Sequence, residues 1–191
     1  MIDRALTLAC GQLNAHLMRQ FSVSDDLVVL SPLTDIEGKQ APEARNRLVM
    51  FLVNVAQDAV PRGPSGAVPT GLVQSQPLHL DIYFMLASAH DADLYEEGLK
   101  LLSAGITFFQ SFPVFSLKNT PEMPVGVTQL SFELSNLKSE ELGQLWGNLG
   151  GRYVPSVMYK MRSVVVDGAV IRDVEPLVRA PGTDLRPEGS A

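Results

Sequence analysis

The chain is poor in the residues that carry most enzymatic and metal chemistry: its 191 residues include one cysteine and three histidines. A single cysteine, Cys10, excludes an internal disulfide framework and suits a reducing compartment. Its place on the apolar side of the first helix reads as a small buried hydrophobe rather than a reactive thiol. His16, His79 and His90 show no ligand spacing, and a zinc site wants a recognisable cluster of coordinating groups. No metal and no cofactor is expected. An excess of positive charge is missing too: Lys and Arg total 15 against 21 Asp and Glu, for a net charge of -6. These charges form no long like-sign run, which argues against a nucleic-acid footprint. Long apolar runs are absent as well. Stretches such as Leu48 to Val53 are strand-sized, far below the ~20 residues that span a bilayer, so no membrane insertion is expected. Met1 to Leu17 is broken by Asp3, Arg4, Gln12, Asn14 and His16 and lacks a signal-peptide core. Assembly in the cytoplasm, with any later release by lysis, is the expectation.

What the chain does contain is an alternation of helical and strand patterns. Ile2, Leu6, Ala9, Leu13 and Leu17 trace one face of a helix over residues 2–20. Leu27 to Leu30 reads as a short strand stopped at Ser31-Pro32, and Arg47 to Val55 as a strand buried on both faces. Pro61 to Pro77, with four prolines and three glycines, reads as a loop. Leu78 to Ser88 alternates, with Leu78, Leu80, Ile82, Phe84 and Leu86 on one side. Asp91 or Asp93 can cap the following helix, which should end before Pro113. Val125 to Leu134 is a further strand.

The segment Glu141 to Arg162 combines a helix, a glycine stop and a strand. Ser139 reads as its N-cap, with Glu140 and Glu141 placed where the helix dipole favours them. Leu142, Leu145, Trp146 and Leu149 form one apolar stripe carrying the sole tryptophan, and Gly150-Gly151 stops the helix. From Tyr153 the period becomes two, with Val157, Tyr159 and Met161 alternating with Met158, Lys160 and Arg162. Asp167-Gly168, between two valine-rich runs, is a hairpin signal. Residues 179–191, rich in Pro, Gly and charge, read as a flexible tail after a domain over residues 1–178. The elements imply an α/β or α+β fold, a single domain with one mixed β-sheet flanked by helices.

The search for reactive constellations is mostly negative. Gly63-Pro64-Ser65-Gly66 lacks the Gly-Lys-Ser/Thr ending of a phosphate loop. His79 and Asp81 lie two apart on a strand and could hydrogen-bond, but sheet-surface polarity or a subunit contact explains them better than catalysis. Glu96 with Lys100 is a solvated helix pair. Phe108, Phe109, Phe112 and Phe115 read as a helix end packed into the core. Tyr153 and Tyr159 suit either core or interface.

Several segments together resemble the cap family of extracellular contractile injection systems of the antifeeding-prophage and virulence-cassette type. They are Met1 to Leu6, Leu52 to Val55, Phe108 to Phe115, Leu130 to Leu134 and the Trp-Gly helix, in that order. The resemblance implies a fold like the phage tail terminators and a non-enzymatic hexamer that closes the end of the inner tube and sheath. Its partners would be further copies of itself, the tube protein and the sheath protein. The alternative is another completion or baseplate adaptor protein of a phage-tail-like particle. Tube contacts are expected in the Pro61–Gln76 loop, at Arg62, Val68, Leu72 and Val73. Sheath or subunit contacts are expected at Val164, Val166, Val170, Arg172 and Val174, and at the Arg152 corner.

Overall fold

The computed structural model describes residues 1–35, 37–58, 72–74, 78–125, 127, 129–150, 153–166 and 171–174. Helix α1 (Ile2–Phe21) leads into β1 (Val28–Leu30), a 3-10 turn at Pro42–Ala44, and β2 (Leu48–Gln57). Then come β3 (Leu72–Gln74), β4 (Leu78–Ser88), a 3-10 turn at Ala92–Leu94, α2 (Tyr95–Ser111) and β5 (Val114–Ser116). The chain continues through β6 (Gln129–Ser135), α3 (Ser139–Asn148), β7 (Ser156–Val166) and β8 (Ile171–Val174).

Six strands form a mixed sheet in the order β1-β2-β4-β7-β6-β5, parallel only between β1 and β2. The alternation of β4 places Ile82, Phe84 and Leu86 in the larger core, beneath α1 and α2, with Leu13, Leu17, Phe108 and Phe109. The intervening Met85 and Ala87 join Val49, Phe51 and Met158 in a second core under α3. Both faces of the central strands are thus covered, which makes a three-layer domain. Phe84 is the hub of the larger core, with ring centroids at 5.8 Å from Phe109, 5.6 Å from Tyr159 and 6.3 Å from Phe132. Phe108, Phe109 and Phe115 are buried as expected, whereas Phe112 is exposed and lies 6.0 Å from His16. Helix α2 comes down closely on the end of β4: a Cβ at Gly98 would overlap Ser88 Oγ and His90 Nδ1.

Local details differ from the sequence reading. Ser139 is the first helical residue of α3, and the cap is Lys138, whose N–H donates to Glu141 Oε2 at 2.9 Å. Neither Asp91 nor Asp93 caps α2 with its side chain, because the 3-10 turn intervenes. The Asp91 carboxylate instead accepts from Arg45 and Asn46, which holds it below the usual carboxylate range. Gly150 ends α3 at φ 100°, as its lack of a Cβ allows. Of the α3 stripe, Trp146 is buried, Leu142 and Leu145 are half-buried, and Leu149 is exposed. Strand β5 was not legible in advance, and β2 is buried on both faces only over Leu48 to Phe51. The boundary at residue 178 and the tail 179–191 lie outside the described residues.

Candidate interaction surface

Helix α3 covers only part of its face of the sheet. Beyond it, the rows continue with Tyr83 opposite Lys160 and Lys160 opposite Glu133. Arg162 and Asp81 follow, and Asp58 closes the end of β2, its N–H donating to His79 O at 2.9 Å. These side chains form a network of two cations and three carboxylates. Arg162 lies 3.2 Å from Asp58, 3.4 Å from Glu133 and 3.6 Å from Asp81. Lys160 lies 3.6 Å from Glu133 and 3.9 Å from Asp81. The Asp58 side chain is only 1% exposed, so its charge depends on fixed partners rather than on water. Its hydrogen bond, and then the charges around it, push the Arg162 guanidinium further above its ordinary range. With three carboxylates around it, Arg162 acts as a brace joining the end of β2 to β4, β7 and β6.

The predicted contact residues come together in an unexpected way. β8 pairs with β3, Leu72 opposite Val174 and Val73 opposite Asp173, while Leu78 at the start of β4 pairs with Val166 at the end of β7. Among the described residues β3 and β8 thus form a two-stranded ribbon apart from the six-stranded sheet. The turn expected at Asp167-Gly168 falls outside the described residues. Strand Leu72–Gln74 corrects the reading of Pro61 to Pro77 as loop throughout. Leu72 and Val73, expected at the tube, share one ribbon with Arg172 and Val174, expected at the sheath. Val164 and Val166 sit in β7 opposite Leu80 and Leu78. Arg62, Val68, Arg152 and Val170 lie outside the described residues, as do Gly63 to Gly66 and Asp167-Gly168.

The remaining chemical candidates are structural. His79 Nδ1 has no hydrogen-bond partner, and the ion-pair partners of Asp81 are Lys160 and Arg162 rather than His79. His90 Nδ1 lies 2.9 Å from Ser88 Oγ, but Ser88 is buried beneath Gly98, which closes it to a substrate. Burial holds the His90 imidazole below its usual pKa. Burial also pushes the Cys10 thiol up to about 12, which fits a packing role. Among the described residues no group of three or more His, Cys, Asp or Glu could hold a metal ion, and no helix is long and apolar enough to cross a membrane. The charged network escaped the sequence reading because its five members come from four separate segments. The available signal was a charge on the wetter side of each strand pattern.

A family model for the Pvc16 N-terminal domain matches residues 7–180. The chain belongs to this Pvc16 N-terminal domain family. Solved structures that share its fold include the following two. The sheath/tube terminator of an extracellular contractile injection system, PVC, in its extended state aligns with 96% of this chain and 64% of its own, at 14% identity and a TM-score of 0.55. The tube-terminating cap of the anti-feeding prophage aligns with 88% of this chain and 57% of its own, at 12% identity and a TM-score of 0.53. This member of the Pvc16 N-terminal family therefore spans less than two thirds of the length of either structure. One is a sheath/tube terminator and the other a tube-terminating cap. No curated protein matches the chain by sequence.

Proposed function

We propose that this chain is the capping subunit of a contractile injection particle, forming a ring of six copies on the end of the inner tube and sheath and so ending their growth. The observation that carries the reading is the fold shared with a sheath/tube terminator over 96% of this chain. A growing tube presents an open, heterologous face, and a ring that fills this face while offering no equivalent one to the next layer stops polymerisation. Tube protein and sheath protein are then the partners, and the particle assembles in the cytoplasm before its release. The β3–β8 ribbon, which carries Leu72, Val73, Arg172 and Val174, is the element assigned to them, since a two-stranded ribbon offers main-chain groups for strand addition.

Deleting the gene and measuring particle lengths by electron microscopy tests the proposal. The expected result is tubes and sheaths of scattered length, with the normal distribution restored by re-expression. A deletion strain whose particles keep their normal length and sheath stability would overturn it.

A further inference from the structure

Among the described residues, side chains cap parts of two margins of the six-stranded sheet. At β5, the pairing of Phe115 with Leu130 and the bond from Phe132 N–H to Pro113 O turn Val114 O and Ser116 N–H outward. Both are taken by the Asn119 side chain, its Nδ2 donating to Val114 O at 2.8 Å and its Oδ1 accepting from Ser116 N–H at 2.7 Å. A side-chain amide thus occupies the place of a neighbouring strand and blocks that edge. At β1, Val28 N–H donates to Asn14 Oδ1 at 3.0 Å.

Among the described residues, two longer stretches at one end of the sheet lie beside no paired strand. β1 pairs only with Leu48 to Met50, so Leu52 to Gln57 of β2 is itself the margin of the sheet. On the far side β6 pairs with β7 no further than Arg162, so Ser163 to Val166 is the other margin. The directions of their backbone groups follow from the register. Asp58 N–H bonds to His79 O, so Asp58, Ala56 and Asn54 turn toward β4, and Val55 and Gln57 turn outward. His79 therefore faces β2, Leu78 and Leu80 face Val166 and Val164, and Val165 turns outward on the opposite side. Gln57, Leu80 and Val164 lie in one row across the sheet, so both margins open at the same end. Neither stretch contains a lysine, a proline or any other charged residue to protect it. Leu52, at the start of the β2 margin, is 44% exposed.

We propose that the Leu52–Gln57 margin of one copy pairs with the Ser163–Val166 margin of the next, so that the sheet runs on from subunit to subunit. This rests on the ring reading above. The occupant is a second copy because one chain carries both halves of the contact, on opposite sides of one sheet and in the same row. A strand from the tube would need only one open margin. Such a contact is heterologous, and repeated around an axis it closes into a ring that leaves no edge free. β2 and β7 both run antiparallel to β4 and hence parallel to each other, so the pair formed between copies is parallel.

Two proline variants of the full chain, Val55→Pro and Val165→Pro, test this by native mass spectrometry and thermal melting. Each removes an outward N–H and spares the bonds inside the sheet, so each should melt within about 3 °C of the parent. Each should also lose its rings about tenfold or more. A second measurement does not depend on tolerance of proline. In a Cys10→Ala background, a Val55→Cys chain mixed with a Val165→Cys chain should be joined by a short bismaleimide, and neither chain should join to itself. Rings that persist in folded proline variants would overturn the proposal. So would rings without the mixed cross-link, a Val55→Cys chain that joins to its own kind, or a cross-link that forms only to tube protein. Those results would leave the capping reading standing. A native protein that forms no ring and leaves particle length unchanged would remove both.

Discussion

Replacing Trp146 by alanine tests how α3 is held. The indole is 5% exposed and is the one buried side chain of α3. It shares its core with Ala41, Ala44, Ala87 and Ala89, and meets Tyr153 edge-on at 5.7 Å. Four alanines have no longer rotamer with which to fill the space, so the loss should reach ~3–5 kcal/mol, as for large aromatic truncations in packed cores. In a domain of this size each kcal/mol moves Tm by about 2–4 °C, giving a fall of roughly 6–20 °C. Trp146→Phe should behave differently. The indole Nε1 is buried with no acceptor, and removing such an unpaired donor returns about 1–3 kcal/mol against the lost packing. The phenylalanine variant should therefore lie much closer to the parent. Urea denaturation followed by far-ultraviolet circular dichroism measures both, and hydrogen exchange should show α3 losing protection first in the alanine variant. A Trp146→Ala protein within about 1 kcal/mol of the parent would refute the reasoning.

Arg162→Met should cost about 2–5 kcal/mol, because it removes the cation beside two nearly buried carboxylates, Asp58 and Asp81. Adding Asp58→Asn should recover part of that loss, and a single variant as stable as the parent would dismiss the brace. Cys10 should resist maleimide at pH 8 until the chain unfolds, since the thiol is buried and raised to about 12. An unfolded thiol ionises near ~8.5, so from there toward the folded value the unfolded chain binds fewer protons and stability falls as pH rises. The Cys10→Ala protein should show a shallower fall in chemical denaturation between those limits, and rapid labelling of the native thiol would contradict its burial.

The parts of this protein that were legible in its amino-acid order are those governed by local periodicity. Helix α1 and strand β4 fall within a residue or so of where the apolar spacing places them, because a side chain on every turn or every second residue is a local property. Gly150 ended α3 for an equally local reason. Strand pairing lies beyond that reach: β8 finds its partner in β3, about a hundred positions earlier. No window of neighbouring residues contains that information.

The candidate surface divides in the same way. Its residue types were visible: Lys160 and Arg162 on the wetter side of a strand, Asp81 among apolar neighbours, valines at both ends of the later strand. Their partners were not. Arg162 meets Asp58 across 104 positions, and Asn119 closes an edge whose existence depends on where β5 lies in the sheet. The chain's own order determined which segments are helices or strands and which of their faces are apolar, because backbone geometry repeats every few residues. Tertiary structure decided which strands are neighbours, which charges meet and which edges stay open, because hydrogen bonds and ion pairs act over a few ångströms and depend on distance in space, whatever the separation along the chain.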